Sequence, residues 1–534
     1  MVINMKKLPL GIQNFRKIIS DSYVYVDKTK YVYDLINDAS YYFLSRPRRF
    51  GKSLLLDTIA EAFSGDKELF NGLWIHGSDY SFEKHPVLRL DMSNIANKTP
   101  ETLENSLLSV LLDRAKAEGF GIDSNLPSDV FKTLVEELHS KYGQRVVVLI
   151  DEYDKPILDH LQDVDAAEAN RKVLRGFFGI LKSMDPHLRM TFITGVSKFT
   201  KTSIFSELNN LLDITLTERY AGICGVPIED LDRCFSDHIK DLETLERFKH
   251  LESLRGEILA WYDGYSWDGV NRLLNPFGLL SFFAQKRFSS FWYASGTPSF
   301  LIKLLKEKPA SFLALGDLEM RERVLDSFDI HRIGSASLLF QTGYLTVKDV
   351  DYAAIPPVYA LDIPNHEVRE AFYLNIVAEF TEQGEENADA AYRKMSLALQ
   401  RGDIQSMLKL LKGLFASIPY ELHVDLEAYY HSILYAVMGL LGFDIDAEVS
   451  VSGGRVDAVL ELADKVYVME FKYEHCAKDA SAEEKRELFD KALDAGMRQI
   501  KDRGYAKKYE GGGKEVVLAA FAFLGRDDID MRMS

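Results

Sequence analysis

The chain has 534 residues, of which 47% are hydrophobic and 27% charged, and it carries a formal net charge of −17. At roughly 150 residues per domain that length predicts three or four units of ordinary globular composition rather than one core. The acidity argues against a general nucleic-acid coat, because phosphate neutralisation needs positive surface, and no apolar run approaches the roughly 18 residues that cross a bilayer.

Lys6-Lys7 is not followed by a sustained apolar stretch, so no secretory signal is expected. Three scattered cysteines, Cys224, Cys234 and Cys476, make neither a disulfide framework nor a zinc cluster, and a reducing cytoplasm is the default expectation. The charge is uneven. Residues 1–60 hold 10 Lys/Arg against 5 Asp/Glu, and residues 451–534 hold 15 against 17, with Lys501, Arg503, Lys507 and Lys508 close together. Nucleic acid, DNA before RNA, is therefore expected only through local basic patches.

Up to about residue 225, short apolar runs alternate with helical stretches. Tyr41–Leu44 is the first run, and Leu54–Ala60 continues with helical character. Between them lies Ser45-Arg46-Pro47-Arg48-Arg49-Phe50-Gly51-Lys52-Ser53. Gly51-Lys52-Ser53 is the tail of G-x-x-x-x-G-K-[ST], in which backbone N–H groups cradle phosphates, the lysine reaches the β/γ-phosphates and the hydroxyl holds Mg²⁺. The first glycine of that pattern is replaced by Arg46. Arg46, Arg48 and Arg49 can neutralise phosphate charge or form a solvated basic loop.

Val87–Met92, Val146–Ile150 and Met190–Thr194 read as further strands, with helices over Pro100–Ala117 and Ala166–Met184. Continuous apolar strands separated by helices predict a parallel sheet covered on both faces, an α/β nucleotide-binding architecture. Val146–Ile150 ends in Asp151-Glu152. A buried parallel strand delivers its last residue to the ligand crevice, where Asp151 would hold Mg²⁺ and Glu152 would polarise the attacking water. Thr194 or Ser197, at the end of a neighbouring strand, is a candidate sensor of the γ-phosphate.

From 226 to 380 the pattern turns mainly helical, with Trp261–Tyr265 and Asn275-Pro276-Phe277 as aromatic turn points. Leu338–Val347 and Val358–Ile363 give a helix followed by two short strands, a winged-helix-like order. Thr381–Asn387 is acidic and predicts a solvated connection, placing a boundary before the last region, 381–534. There, Glu427–Leu441 predicts a helix, and Ala447–Val451, Arg455–Leu462 and Lys465–Lys472 predict strands. A helix over Ala482–Lys501 and a strand over Glu515–Phe523 complete an α-β-β-β-α-β order.

Glu470 and Lys472 are two apart on one predicted strand, so their side chains leave the same face. Asp457, on the preceding strand, can meet them across the hairpin. Two carboxylates and a lysine form a hard-oxygen Mg²⁺ site, with Asp457 and Glu470 as ligands and Lys472 beside the phosphate. Glu427 could add a carboxylate, and Gln499 could orient water or the phosphate backbone. A Glu/Lys cross-pair on a solvated hairpin face is the plainer alternative.

On these motifs the chain resembles a bacterial family that joins an AAA-like ATPase domain to a C-terminal PD-(D/E)XK nuclease-like domain. The carriers are Tyr25–Thr29, Ser45–Ser53, Leu149–Pro156, Phe192–Ser197, Trp261–Tyr265, Asn275–Phe277, Gly343–Thr346, Pro364–Val368, Gly454–Asp457 and Glu470–Lys472. The resemblance implies ATP binding in residues 1–225, a helical and winged-helix-like middle region over 226–380, and a restriction-endonuclease-like α/β fold in 381–534. It assigns Lys52, Ser53, Asp151 and Glu152 to the ATPase, and Asp457, Glu470 and Lys472, with Glu427 and Gln499, to the nuclease. Val456 stands where the family's strict motif has proline. ATP and Mg²⁺ are the implied cofactors, with no membrane partner, and a homo-oligomer would supply the arginine finger that AAA-type ATPases often borrow. The expected function is an ATP-regulated, Mg²⁺-dependent nuclease. The alternative is a nucleotide-dependent switch whose nuclease-like fold binds a partner and cuts nothing.

Overall fold

The computed structural model describes residues 5–198, 204, 210–294, 318–325, 334–381, 384–401, 403–416, 437, 449–451, 454–456, 458–461, 465–474, 476, 480–509, 513–524 and 528–534. The chain divides into two compact units: residues 1–300 with 318–365, and residues 301–317 with 366–534.

The first unit is built on a five-stranded parallel sheet. Its strands are β1 (Tyr41–Ser45), β2 (Val87–Asp91), β3 (Val146–Asp151), β4 (Leu188–Gly195) and the short β5 (Leu212–Asp213), in the spatial order β2-β3-β4-β1-β5. Every residue of β1 and β3 is buried, whereas β2, at an edge, alternates. That is why the central strands read as unbroken apolar runs. Phe43 pairs with Ile193, and Ile193 also pairs with Ile150, so β4 separates the ends of β1 and β3.

The crossovers are helical: α1 (Phe15–Ser20), α2 (Thr29–Asp38), α3 (Lys52–Ala62), α4 (Pro100–Ala117), α5 (Pro127–Tyr142), α6 (Lys155–Leu158) and α7 (Val164–Gly179). Local chemistry sets their ends. Thr99 caps α4 through Thr102 N with Pro100 in the first turn, and Gly143 closes α5 in the left-handed conformation.

Residues from 226 onward continue this unit. β6 (Val226–Pro227), α8 (Ile228–Glu243), α9 (Leu254–Tyr262), β7 (Leu273–Leu274) and α10 (Pro276–Gln285) share a core of Leu231, Phe235, Ile258, Tyr262, Leu279 and Phe282, with Val24 from the N-terminal segment. After α11 (Phe291–Ala294) come β8 (Leu318–Arg321), α12 (Glu322–Leu325), α13 (Ser335–Thr342), β9 (Thr346–Asp351) and β10 (Val358–Asp362). The helix-then-two-strands expectation corresponds to α13, β9 and β10, and β8 adds a third antiparallel strand in the order β8-β10-β9.

In the second unit, α14 (His366–Thr381), α15 (Gly384–Gln400) and α16 (Ile404–Ala416) precede the sheet. The acidic stretch expected as a connection is thus mostly helical: α14 runs to Thr381 and α15 starts at Gly384. The helix expected over Glu427–Leu441 lies outside the described residues, apart from helical Val437. The strands are β11 (Val449–Val451), β12 (Gly454–Val456), β13 (Ala458–Glu461), β14 (Lys465–Glu474), β15 (Glu515–Leu524) and β16 (Asp528–Met533), with α17 (Ala482–Asp502) between β14 and β15. β13-β14-β15-β16 form one sheet, in which β14 and β15 run parallel over ten register pairs and the outer pairings are antiparallel. α17 begins in a reciprocal capping box between Ser481 and Glu484. It packs Ala492, Leu493, Met497 and Ile500 against Val466, Val468, Ala520 and Ala522.

Two candidate functional sites

The first site forms where β1 turns into α3. Gly51, at φ 98°, is the N-cap of α3, a conformation open to glycine without steric cost. Lys52 is buried, and its ammonium donates to the carbonyls of Arg46 and Pro47, both at 2.9 Å. The lysine thus arches back over the loop and occupies the loop's own acceptors. Burial pushes its pKa down, and Asp151, Glu152 and Asp154 oppose that shift.

The three loop arginines separate. Arg48 and Arg49 are exposed and line the cleft, with the Arg49 guanidinium 5.2 Å from the centre of the Phe277 ring. Arg46 departs from its expected role. It is fully buried, donates to the carbonyls of Ser45 and Thr215 at 2.9 Å, and lies 3.9 Å from the Trp267 ring centre. Those donors are committed to protein carbonyls, so Arg46 braces the loop instead of meeting a phosphate.

Asp151 ends β3, is 9% exposed, and lies beside the Ser53 hydroxyl. Burial raises its pKa, opposed by the Ser53 hydroxyl and by Lys52. Glu152 comes next at φ 48°, an uncommon conformation for a residue other than glycine, and burial raises its pKa too. Tyr153 and Asp154 fix this turn in place. Tyr153 N donates to Thr194 O at 3.1 Å, and Tyr153 Oη donates to Ser197 O at 2.8 Å. Asp154 Oδ2 accepts from Val196 N (3.0 Å), Ser197 N (2.6 Å) and Ser197 Oγ (2.7 Å).

This network corrects the expectation for Thr194. Its hydroxyl is buried and donates to Leu44 O at 2.8 Å, across the β1–β4 ladder, and Ser197 is committed to Asp154. Sequence reasoning gives Asp154 no role; the available signal was a third acid so soon after Asp151-Glu152 at the end of a buried strand.

A cleft of about 350 Å³ opens beside the loop, walled by Arg48–Leu54, Glu152, Lys155, the segment Pro9–Gln13, and Pro276, Phe277 and Leu280. A second, mainly apolar cavity of about 100 Å³ shares Pro9, Phe50, Gly51, Leu54, Pro276 and Leu280 with it. The Ser53 hydroxyl and the Asp151 carboxylate beside it are hard oxygen donors, a set that fits Mg²⁺.

The second site lies in the second unit. Glu470 is 1% exposed in the middle of β14, and Lys472 Nζ donates to Glu470 Oε1 at 3.0 Å and to Gln499 Oε1 of α17 at 3.0 Å. These three expected residues come together. Asp457 and Glu427 lie outside the described residues. Ala458, the chain neighbour of Asp457, pairs with Met469, the chain neighbour of Glu470. Among the described residues no cluster of three or more His, Cys, Asp or Glu side chains forms a metal site, and the carboxylate described in this cluster is that of Glu470. Gly496 explains the close approach of α17: a Cβ there would stand 3.0 Å from Ala520 Cβ and 3.6 Å from Lys472 Cγ. Sequence reasoning missed it, although a glycine inside an amphipathic helix is a signal for close packing.

No helix among the described residues is long and apolar enough to cross a membrane. Residues 9–205 match a family described as Predicted AAA-ATPase, and residues 425–531 match the PD-(D/E)XK nuclease superfamily. An uncharacterized protein in the vnfD 5′ region of Azotobacter chroococcum mcd 1 is 36% identical over 528 residues, covering 98% of this chain and 97% of its own. Among solved structures, the Aeropyrum pernix ORC2 protein in its ADPNP and ADP complexes aligns at a TM-score of 0.26 and 10% identity, over 66% of this chain and 94% of its own. Drosophila ORC bound to DNA and Cdc6 aligns at 0.23 and 12%, over 74% and 69%. Those scores are too low to carry an argument. The sequence matches do carry one, for they span both ends of a chain whose relative aligns throughout: it belongs to the family that joins an AAA-ATPase-like domain to a C-terminal domain of the PD-(D/E)XK nuclease superfamily.

Proposed function

We propose that the chain binds ATP with Mg²⁺ in the cleft beside Gly51-Lys52-Ser53 and that its second unit is a Mg²⁺-dependent nuclease cutting DNA phosphodiester bonds under control of the bound nucleotide. The observation that carries the nuclease half is the Glu470–Lys472–Gln499 cluster: a buried carboxylate, a lysine 3.0 Å from it and an amide from a facing helix. On an ordinary solvated hairpin such a glutamate would be exposed.

In the first site, Lys52 would exchange its loop carbonyls for the β/γ-phosphates, and the N–H groups at the start of α3 would cradle them. Arg48 and Arg49 would neutralise further phosphate charge. Ser53 and Asp151 would hold the cation, whose chemistry is to shield phosphate charge and polarise the transferred group. Glu152, held by the Tyr153 and Asp154 anchors, would orient and deprotonate water. In the second site, Asp457 and Glu470 would hold the cation, which lowers the pKa of bound water. Lys472 would stabilise charge developing on the phosphate, Gln499 would position Lys472, and Glu427 would add a carboxylate. Borrowing of an arginine between copies of the chain fits the AAA-like assignment.

The test is incubation of the purified chain with linear, circular and single-stranded DNA and with RNA, with Mg²⁺ or EDTA, with and without ATP. Metal-dependent cleavage lost in Lys472→Ala, with ATP binding retained, supports the reading. Cleavage that persists in Lys472→Ala sinks the assignment of that residue. The net charge of −17 favours a second reading, a nucleotide-dependent switch that cuts nothing, and absence of metal-dependent cleavage on every substrate would select it.

A further inference from the structure

The segment Asp27-Lys28-Thr29 does no work in the phosphate site, yet it is tightly built. Asp27 Oδ1 accepts from Thr29 N at 2.9 Å and Thr29 Oγ1 at 2.7 Å, and its Oδ2 accepts from Trp74 N at 2.7 Å. The carboxylate is thus spent on neighbouring groups, and the turn it makes fixes the backbone from which the Lys28 side chain leaves. Lys28 lines the smaller apolar cavity. Its ammonium donates to Gly222 O at 2.7 Å, and among the described residues no carboxylate lies within ion-pair distance. Burial pushes its pKa down to about 8, with Asp230 and Cys224 opposing and Arg233 reinforcing the shift.

An ammonium has three N–H donors and no acceptor. One donor meets Gly222 O and the Tyr31 ring centre lies 5.9 Å from the ammonium, which leaves at least one direction on the wall of a cavity that is otherwise mainly apolar, where an unfilled donor is costly. The cavity shares six wall residues with the phosphate cleft. A nucleotide with its phosphates on Lys52 can therefore place its base here.

We propose that Lys28 is the base-specifying residue of the nucleotide site, donating a charge-assisted hydrogen bond to a ring nitrogen of adenine. The inference rests on the nucleotide reading of the Gly51–Ser53 cleft. Adenine brings ring-nitrogen acceptors and a single amino group, and the acceptors answer Lys28. Guanine would bring an N1–H and a 2-amino group into the same cavity. The nearest carboxylate of the motif, Asp27, is already occupied, and the wall's hydroxyls are engaged as well, Thr58 Oγ1 donating to Leu54 O at 2.8 Å and lying 3.5 Å from Tyr25 Oη, so those donors would be poorly paired. A site that leaves buried donors without partners rejects the ligand that carries them.

The experiment is a set of binding titrations with Mg²⁺ and either ATP, GTP or inorganic tripolyphosphate. Wild-type protein should prefer ATP to GTP by tenfold or more. Lys28→Met should lose at least tenfold in ATP affinity, narrow the ATP/GTP ratio and leave tripolyphosphate affinity unchanged. As a check that needs no folded variant, wild-type protein should bind one of 1-deaza-, 3-deaza- and 7-deaza-ATP at least tenfold more weakly than ATP. Equal ATP binding by wild type and Lys28→Met, or equal binding of ATP and all three deaza analogues, overturns the role of Lys28 alone. Wild-type protein that binds neither ATP nor tripolyphosphate overturns the nucleotide reading, and the role of Lys28 with it.

Discussion

Arg46 and Lys52 are both buried cations of one loop, and their hydrogen bonds separate their roles. Lys52 holds two carbonyls of its own loop, contacts a phosphate can replace. Arg46 binds carbonyls about 170 residues away in sequence and lies over Trp267, contacts no ligand would displace. Arg46→Lys keeps the charge but loses the planar fork and leaves carbonyls unpaired, which costs about 2–4 kcal/mol. Denaturant unfolding should register that loss. Arg48→Ala with Arg49→Ala, at exposed positions, should leave stability within about 0.5 kcal/mol and weaken ATP binding instead. An unstable double variant with unchanged ATP affinity would reverse this division.

The carboxylates opposite the loop make a pH prediction. Burial raises Asp151 and Glu152 above the ordinary carboxylate range. In the ligand-free protein the folded state therefore keeps protons that the unfolded chain has released, and this contribution to stability is lost as pH rises through the raised values. A bound cation requires the ionised form and competes with those protons. The rise in melting temperature with Mg²⁺·ATP should therefore shrink as pH is lowered through the raised carboxylate range, and Asp151→Asn should flatten that dependence. A thermal shift in the wild type that stays constant down to the acid limit of folding would remove Asp151 from the cation site.

At the scale of elements, what was legible came from local periodicity. β1, β3 and β4 are buried throughout or nearly so, and unbroken apolar runs are how such strands read. Where the deciding contact is distant, the sequence was silent. Nothing around Arg46 announces Trp267, and nothing around Thr194 announces that its hydroxyl closes on Leu44 O. The C-terminal strand β16 alternates charged and apolar residues over Asp528–Met533, a half-buried strand pattern too short to stand out, and the stretch after Thr381 reads as loop because its charge hides its helical propensity. Glu470, Lys472 and Gln499 are legible because strand alternation places two of them together. Their approach to α17 depends on Gly496, whose absent side chain lets the helix sit on Ala520. Gly496→Val should therefore destabilise the second unit by about 1–3 kcal/mol through overpacking against a buried strand. It should also weaken cleavage while leaving ATP affinity unchanged. Retained stability and cleavage in Gly496→Val would show that the helix has room to shift.

The whole molecule carries two sites in two compact units, and a regulated nuclease requires more than their presence on one chain. If ATP changes the affinity of the second unit for DNA by some factor, thermodynamic linkage requires DNA to change the affinity for ATP by the same factor. The Lys472→Ala variant makes this measurable, because it should bind DNA without consuming it. ATP titrated into that variant with and without a saturating duplex should give two dissociation constants whose ratio equals the ratio of DNA affinities with and without ATP. Coupling of about 1–3 kcal/mol, 5- to 150-fold, is the usual range for such communication. The acidity of the chain sharpens the measurement: with a net charge of −17, DNA must be held by few local cations, so its binding should fall only shallowly with salt and the cycle can be closed near physiological ionic strength. Lys52→Ala should abolish the coupling by removing ATP binding while leaving the affinity for DNA at its ATP-free value. A ratio of one in both directions, together with cleavage indifferent to ATP, would mean that the nuclease site runs without instruction from the nucleotide and that the two units are joined for some reason other than control.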